Sequence, residues 1–134
     1  MSFVSSKRTR WCYLAATLII LAVEVLIALY VHDCFVRPYF GDVLAVVFVY
    51  CLARAVLKRV PRLLALYVFL IAAMVEVSQL LGLATMLGVD RGPLGVVLGG
   101  VFDWADLAMY MIGCAAMFAI QWFEDGRRNG RQAV

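Results

Sequence analysis

Charged side chains are scarce in this sequence: Asp, Glu, Lys and Arg make up 16% of it, against about 25% in soluble globular domains. A chain so poor in charge has too little ionic surface for an ordinary water-soluble domain. Histidine occurs once, as His32, so a paired-histidine metal or catalytic centre has no material to form from, and His32 reads as an interfacial side chain at a helix end. The cysteines, Cys12, Cys34, Cys51 and Cys114, are far apart and make no CxxC pair. They read as small packing residues, not as redox or zinc ligands. Internal repeats, low-complexity linkers, Gly-rich phosphate loops and nucleophile motifs are all missing from the sequence.

What the chain has is hydrocarbon. Hydrophobic residues make up 66%, gathered in runs at roughly 11–31, 43–57, 63–83 and 104–122, and a helix crossing the bilayer core needs about 20 residues. Taking Tyr39-Phe40 and Val60 into the short second run gives spans at about 11–31, 40–60, 63–83 and 103–122. One membrane domain then covers 1–134, with short basic tails. The first run is too long for a cleaved signal peptide, contains Glu24 and is followed by Tyr30-Val31-His32-Asp33 instead of a small-residue cleavage site, so it is expected to remain. Strands are not expected, because an open sheet edge cannot satisfy its backbone in lipid. The predicted fold is an all-α integral membrane protein, a four-transmembrane-helix bundle. Arg37-Pro38, Pro61 and Gly92-Pro93 mark the breaks between spans.

Topology follows from the cations. Lys7, Arg8 and Arg10 precede the first span; Lys58, Arg59 and Arg62 fill the second loop; Arg127, Arg128 and Arg131 close the chain; the other two loops hold Arg37 and Arg91. This asymmetry predicts a multi-pass protein with both termini in the cytoplasm, Trp11 and Trp122 at the inner interface and Tyr39 and Trp104 near the outer one. Because the basic residues are split over three juxtamembrane clusters, they suit anionic lipid and give no support to nucleic-acid binding. Arg54, about one turn from the inner end, is expected to snorkel to the interface. Tyr50 and Tyr67 are expected to pack.

The polar groups of the outward half carry the functional signal. At 1.5 Å per residue, Glu24, Glu76 and Tyr110 fall roughly 10–12 Å below the outer boundary and Gln79 and Asp106 about 6 Å, with Arg37, Asp42 and Asp103 at the rim. Asp103, Asp106, Tyr110, Gly113 and Met117 step by three and four along the last span, as Ala72, Glu76, Gln79 and Leu83 do along the third; Asp42, Ala45, Val49 and Ala53 make a narrow face on the second. Stripes of this kind belong against other helices, away from lipid. In this half Glu24, Asp33, Asp42, Glu76, Asp90, Asp103 and Asp106 stand against Arg37 and Arg91. Protonation of Glu24 or Glu76, a metal ion, a cationic ligand or Arg37 must offset the excess, and a guanidinium can bridge two carboxylates or hold a carboxylate and a phosphate. Asp103 has a second reading as a helix N-cap. The Gly-rich stretch 83–101 reads either as a re-entrant cap over this layer or as an external loop.

The segments Phe35-Val36-Arg37-Pro38-Tyr39-Phe40-Gly41-Asp42, Glu76-x-x-Gln79 and Phe102-Asp103-Trp104-Ala105-Asp106-x-x-x-Tyr110-x-x-Gly113 resemble those of a small bacterial membrane-protein family of unknown function related to the VanZ-like proteins. The resemblance covers about residues 11–122. Tyr110 stands where the wider VanZ-like pattern usually has Asn, which fits the narrower subgroup. A bacterial cytoplasmic-membrane protein is what the resemblance implies, without an activity. The expected function is binding: an outward-facing buried polar pocket for an envelope lipid head group or other amphiphile. In it Arg37 would be the anion holder or carboxylate bridge, Glu76 and Gln79 the buried pair, and Asp106 with Tyr110 the opposing wall. The rivals are a proton-coupled transporter subunit using Glu24 or Glu76, which would need a homo-oligomer; an intramembrane acid/base or Mg²⁺-dependent enzyme built on Asp103 and Asp106; and a polar cluster that only ties helices together. No catalytic residue, metal ligand or cofactor is assigned.

Overall fold

A computed structural model describes residues 2–32, 36–89 and 91–132. Of these residues 79% are helical. Helix α1 (Lys7–Tyr30) starts where the Ser6 side chain accepts the Thr9 N–H at 3.1 Å, a normal N-cap bond. With neither Gly nor Pro after it, the helix runs for 24 residues. Helix α2 (Val36–Val56) begins earlier than expected. Arg37-Pro38, read as a break, lies in its first turn, where a proline's missing N–H has no helical acceptor to lose. Helix α3 (Leu64–Leu80) has 17 residues and ends before Gly82, whose φ of 62° sits in the left-handed region. Two short helices follow, α4 (Leu83–Met86) and α5 (Pro93–Leu98), the latter opened by Gly92 at φ 94° with Pro93 at its first position. Helix α6 (Trp104–Gln132) extends 29 residues, well past the boundary expected at Trp122, because only Gly126 and Gly130 interrupt its polar tail and neither breaks it.

The exclusion of strands needs correcting at one place. Ser2–Val4 (β1) pairs antiparallel with Arg59–Pro61 (β2), Ser2 opposite Pro61 and Val4 opposite Arg59. The Ser5 N–H then donates to the Lys58 carbonyl at 2.9 Å. These residues lie beyond the ends of the apolar helices, so the lipid argument against strands does not reach them. Pro61, expected to open a helix, belongs to this strand.

α2 and α6 pack against each other, with α1 on the far side of α2 and α3 mainly against α6. At Gly113 the α2 backbone comes close: a Cβ there would stand 3.2 Å from the Val43 carbonyl oxygen and 3.5 Å from Val46. A small core of Val46, Tyr50, Cys51, Val60, Leu64, Ala65, Val68 and Cys114 lies between the helices. Most remaining apolar surface faces outward; in the most apolar stretch of α1 only 6% of residues are buried within the chain. Among the described residues three helices, α1, α2 and α6, are long and apolar enough to cross a membrane, and α3 is apolar but shorter. The stretch 83–101 folds back on α3 as α4 and α5, with Ala84 buried and Gly100 so close that a Cβ there would meet the Gln79 amide nitrogen at 2.8 Å.

Candidate functional site

Polar side chains gather in two layers, one where α1 and α3 end and α2 and α6 begin, the other at the opposite end beside β1 and β2. Carboxyls dominate the first, and it is called the acid end. Glu76, on α3, is 1% exposed; its Oε1 accepts a 2.9 Å hydrogen bond from the Tyr110 hydroxyl on α6, while Oε2 is buried with no hydrogen-bond partner. Asp42, on α2, is half-buried, with the Asp106 carboxyl on α6 close enough to interact and Glu76 and Asp103 nearby. Bare carboxylates that approach one another repel, so a cation or a proton between them is favoured. Asp103 is exposed and accepts the Ala105 N–H at 2.9 Å, which is the N-cap role weighed for it. From Asp103 at the surface through half-buried Asp42 and Asp106 to Glu76, the carboxyls become progressively less exposed.

Gln79 lies one turn further along α3, against Gly100. Glu24 and Arg37 line an open cavity of about 230 Å³ between α1 and α2, with Ile27, Ala28, Gly41 and Ala45. Glu24 Oε1 is buried there without a hydrogen-bond partner. Thus Asp42, Glu76, Asp106 and Tyr110 come together, whereas Glu24 sits on the other side of α2. Asp33, Cys34 and Asp90 lie outside the described residues. Among the described residues no group of three or more His, Cys, Asp or Glu is placed to hold a metal ion.

The second layer was missed by sequence reasoning, and its centre is Arg54. Instead of snorkelling, Arg54 is 0% exposed. Its Nη2 donates to Glu124 Oε2 at 2.5 Å, and the guanidinium lies 4.4 Å from the Tyr13 ring centroid. Tyr13, on α1, donates to Glu124 Oε1 at 2.8 Å. Tyr50 is more than filler: it donates to Gln121 Oε1 at 3.0 Å and accepts from Arg54 at 3.4 Å. Gln121 Nε2 in turn donates to the Pro61 and Arg62 carbonyls at 3.2 and 3.1 Å. Every link joins different helices or a helix to the α2–α3 connection, apart from Arg54 to Tyr50. Such wiring orients helices, as buried polar networks do.

The α2 face also needs correcting. Val46, Tyr50 and Arg54 are buried, continuing from Asp42 in steps of four, with Cys51 and Ala55 beside them, while Ala45 and Val49 are exposed and Ala53 only half-buried. Contacts between crossing helices follow the i±4 ridge, which is inclined to the axis, so a face drawn straight along the axis drifts off the contact.

Apolar helices facing outward around two buried polar layers define an α-helical membrane protein. Within that class, the chain belongs to the family described as a protein of unknown function (DUF2809), whose model matches residues 31–114. The matched segment contains Asp42, Glu76, Gln79, Asp103, Asp106 and Tyr110 but stops before Gln121 and Glu124. No curated protein and no solved structure matches the chain.

Proposed function

We propose that this chain is a four-span protein of the bacterial cytoplasmic membrane, with both termini inside, whose acid end faces outward and binds the head group of an envelope lipid or other amphiphile. Kinship with the VanZ-like proteins belongs to the same proposal and rests on the motifs around Arg37, Glu76 and Asp103. The fourth span is α3: its 17 residues rise roughly 26 Å at 1.5 Å each, close to a thin hydrocarbon core. The basic clusters set the orientation.

The observation carrying the binding reading is the unpartnered Oε2 of Glu76, 1% exposed, at the floor of a group of acids. A desolvated carboxyl with a free oxygen is costly without a partner, so it favours a cation as the natural occupant. The cationic part of a zwitterionic head group meets Asp42, Asp106 and Glu76, with Tyr110 orienting Glu76. Arg37 lines the α1–α2 cavity with Glu24, about 140° around α2 from Asp42, and so stands outside this group of acids. The test compares phosphatidylethanolamine with its N-acetylated form, which lacks the positive charge, on the intact protein by native mass spectrometry. The amine lipid is retained in preference, and Glu76→Gln removes the preference with helicity intact. Equal retention of the two lipids by the unaltered protein ends this reading, as does an unchanged preference in Glu76→Gln; Arg37→Met is expected to leave the preference in place.

One observation favours a second reading. The Asp42–Asp106 contact gives a proton an obvious seat on the outward side, which suits a proton-coupled transporter subunit. Proton flux into liposomes that disappears in Glu76→Gln would select it.

A further inference from the structure

We infer that the opposite end of the molecule carries a separate site for the phosphate of an anionic phospholipid, formed by Lys7 and Arg10 with Trp11. An open groove of about 560 Å³ between the first turns of α1 and the last turn of α2 is lined by Lys7, Arg10, Trp11, Leu14, Ala55 and Val56. Its chemistry is that of a lipid cut across the interface: two cations with a 69% exposed indole, then Leu14 about one turn further along α1, where an acyl chain would follow.

Three features make this more than a diffuse basic surface. The groove is built, because β1–β2 pairing and the Ser5–Lys58 hydrogen bond fix where α1 begins. The Arg10 guanidinium is held too, with Nε donating to the Ala55 carbonyl at 2.8 Å and Nη2 to the Val56 carbonyl at 3.3 Å. These bonds cover the carbonyls at the C-terminal end of α2, whose partial negative charge would otherwise repel a phosphate. Finally, the charge is uncompensated in sequence. The first turn of α1 has no acid, and none occurs in 1–23 or 43–75. Cations at the positive end of a helix dipole are placed against the usual preference, so Lys7, Arg8 and Arg10 call for an external anion. A bilayer's phosphate layer supplies one at the depth where Trp11 sits.

The intact protein is titrated with short-chain phosphatidylglycerol by native mass spectrometry, with inorganic phosphate as the competing probe. Lys7 makes no hydrogen bond that the fold needs, so Lys7→Gln keeps its helicity and lowers phosphatidylglycerol affinity about five-fold, the share expected of one cation beside a membrane phosphate. Arg127→Gln, in the C-terminal basic cluster and outside the groove lining, changes it less than about two-fold. Equal losses in the two variants would mean diffuse attraction and would overturn the site. Full displacement of the lipid by inorganic phosphate at matching concentration would overturn the lipid as its source. The acid end takes a cationic amine, which phosphatidylglycerol lacks, so this test and that of the acid end fail separately.

Discussion

Replacing Glu124 by Gln removes the counter-charge that the buried Arg54 guanidinium meets at the basic end. Arg54 has 0% side-chain exposure and Glu124 32%, so the two halves of the pair are unequal. Without the Glu124 charge, Arg54 stays desolvated and uncompensated; breaking a buried pair from one side costs about 3–5 kcal/mol, and the partial exposure of Glu124 puts the expected loss near 3. Replacing Arg54 by Met costs less, about 1–2 kcal/mol, because Glu124 can turn to water and the main loss is the cation–π contact with Tyr13. Tyr50 keeps Gln121 as its acceptor in that variant. The double replacement leaves no buried charge and therefore costs less than Glu124→Gln alone. Equilibrium unfolding of the intact protein in mild detergent with increasing dodecyl sulfate, followed by far-ultraviolet circular dichroism, reads all three. If Arg54→Met costs as much as Glu124→Gln, or the double variant is the sum of the singles, Arg54 is solvated and the reasoning is wrong.

The same unfolding assay checks three further expectations. Gly113→Leu drives a side chain into the Val43 carbonyl and Val46 and costs about 1–3 kcal/mol, whereas Gly113→Ala stays within about 1 kcal/mol because better helix propensity offsets the tight contact. Gln121→Leu removes the acceptor of Tyr50 and strands the Pro61 and Arg62 carbonyls, a loss of about 1–3 kcal/mol. Gly82→Ala forces a Cβ onto a φ of 62° and costs about 1–2 kcal/mol, although nothing crowds the position.

The acid end could be read from sequence because its residues lie at helical spacing on three apolar runs, and depth arithmetic needs no knowledge of packing. The Asp106–Tyr110–Gly113 stripe and the approach at Gly113 are one-helix patterns of this sort. The basic end obeys the same rule and was still missed. Tyr13 and Thr17, Tyr50 and Arg54, Gln121 and Glu124 are polar pairs three or four apart at one depth, but Glu124 fell beyond the Trp122 boundary that hydropathy drew. The α6 stripe in fact continues from Met117 through Gln121 to Glu124. On α2 a straight face put Arg54 about 120° from Asp42, and crossing geometry, which brings it back to α6, is a property of the pair of helices. The β1–β2 strap joins three residues at the start to three after α2, too short and too distant for any local pattern to reveal.

The claim on which the rest turns is that acids from separate helices face one another at the outward end. With the native cysteines replaced by Ala, Asp42→Cys and Asp106→Cys in one chain should be bridged by a short bis-thiol reagent in membranes, giving a proteolysis-resistant link between α2 and α6. Failure to bridge while both thiols react singly would place Asp42 and Asp106 apart and contradict the account.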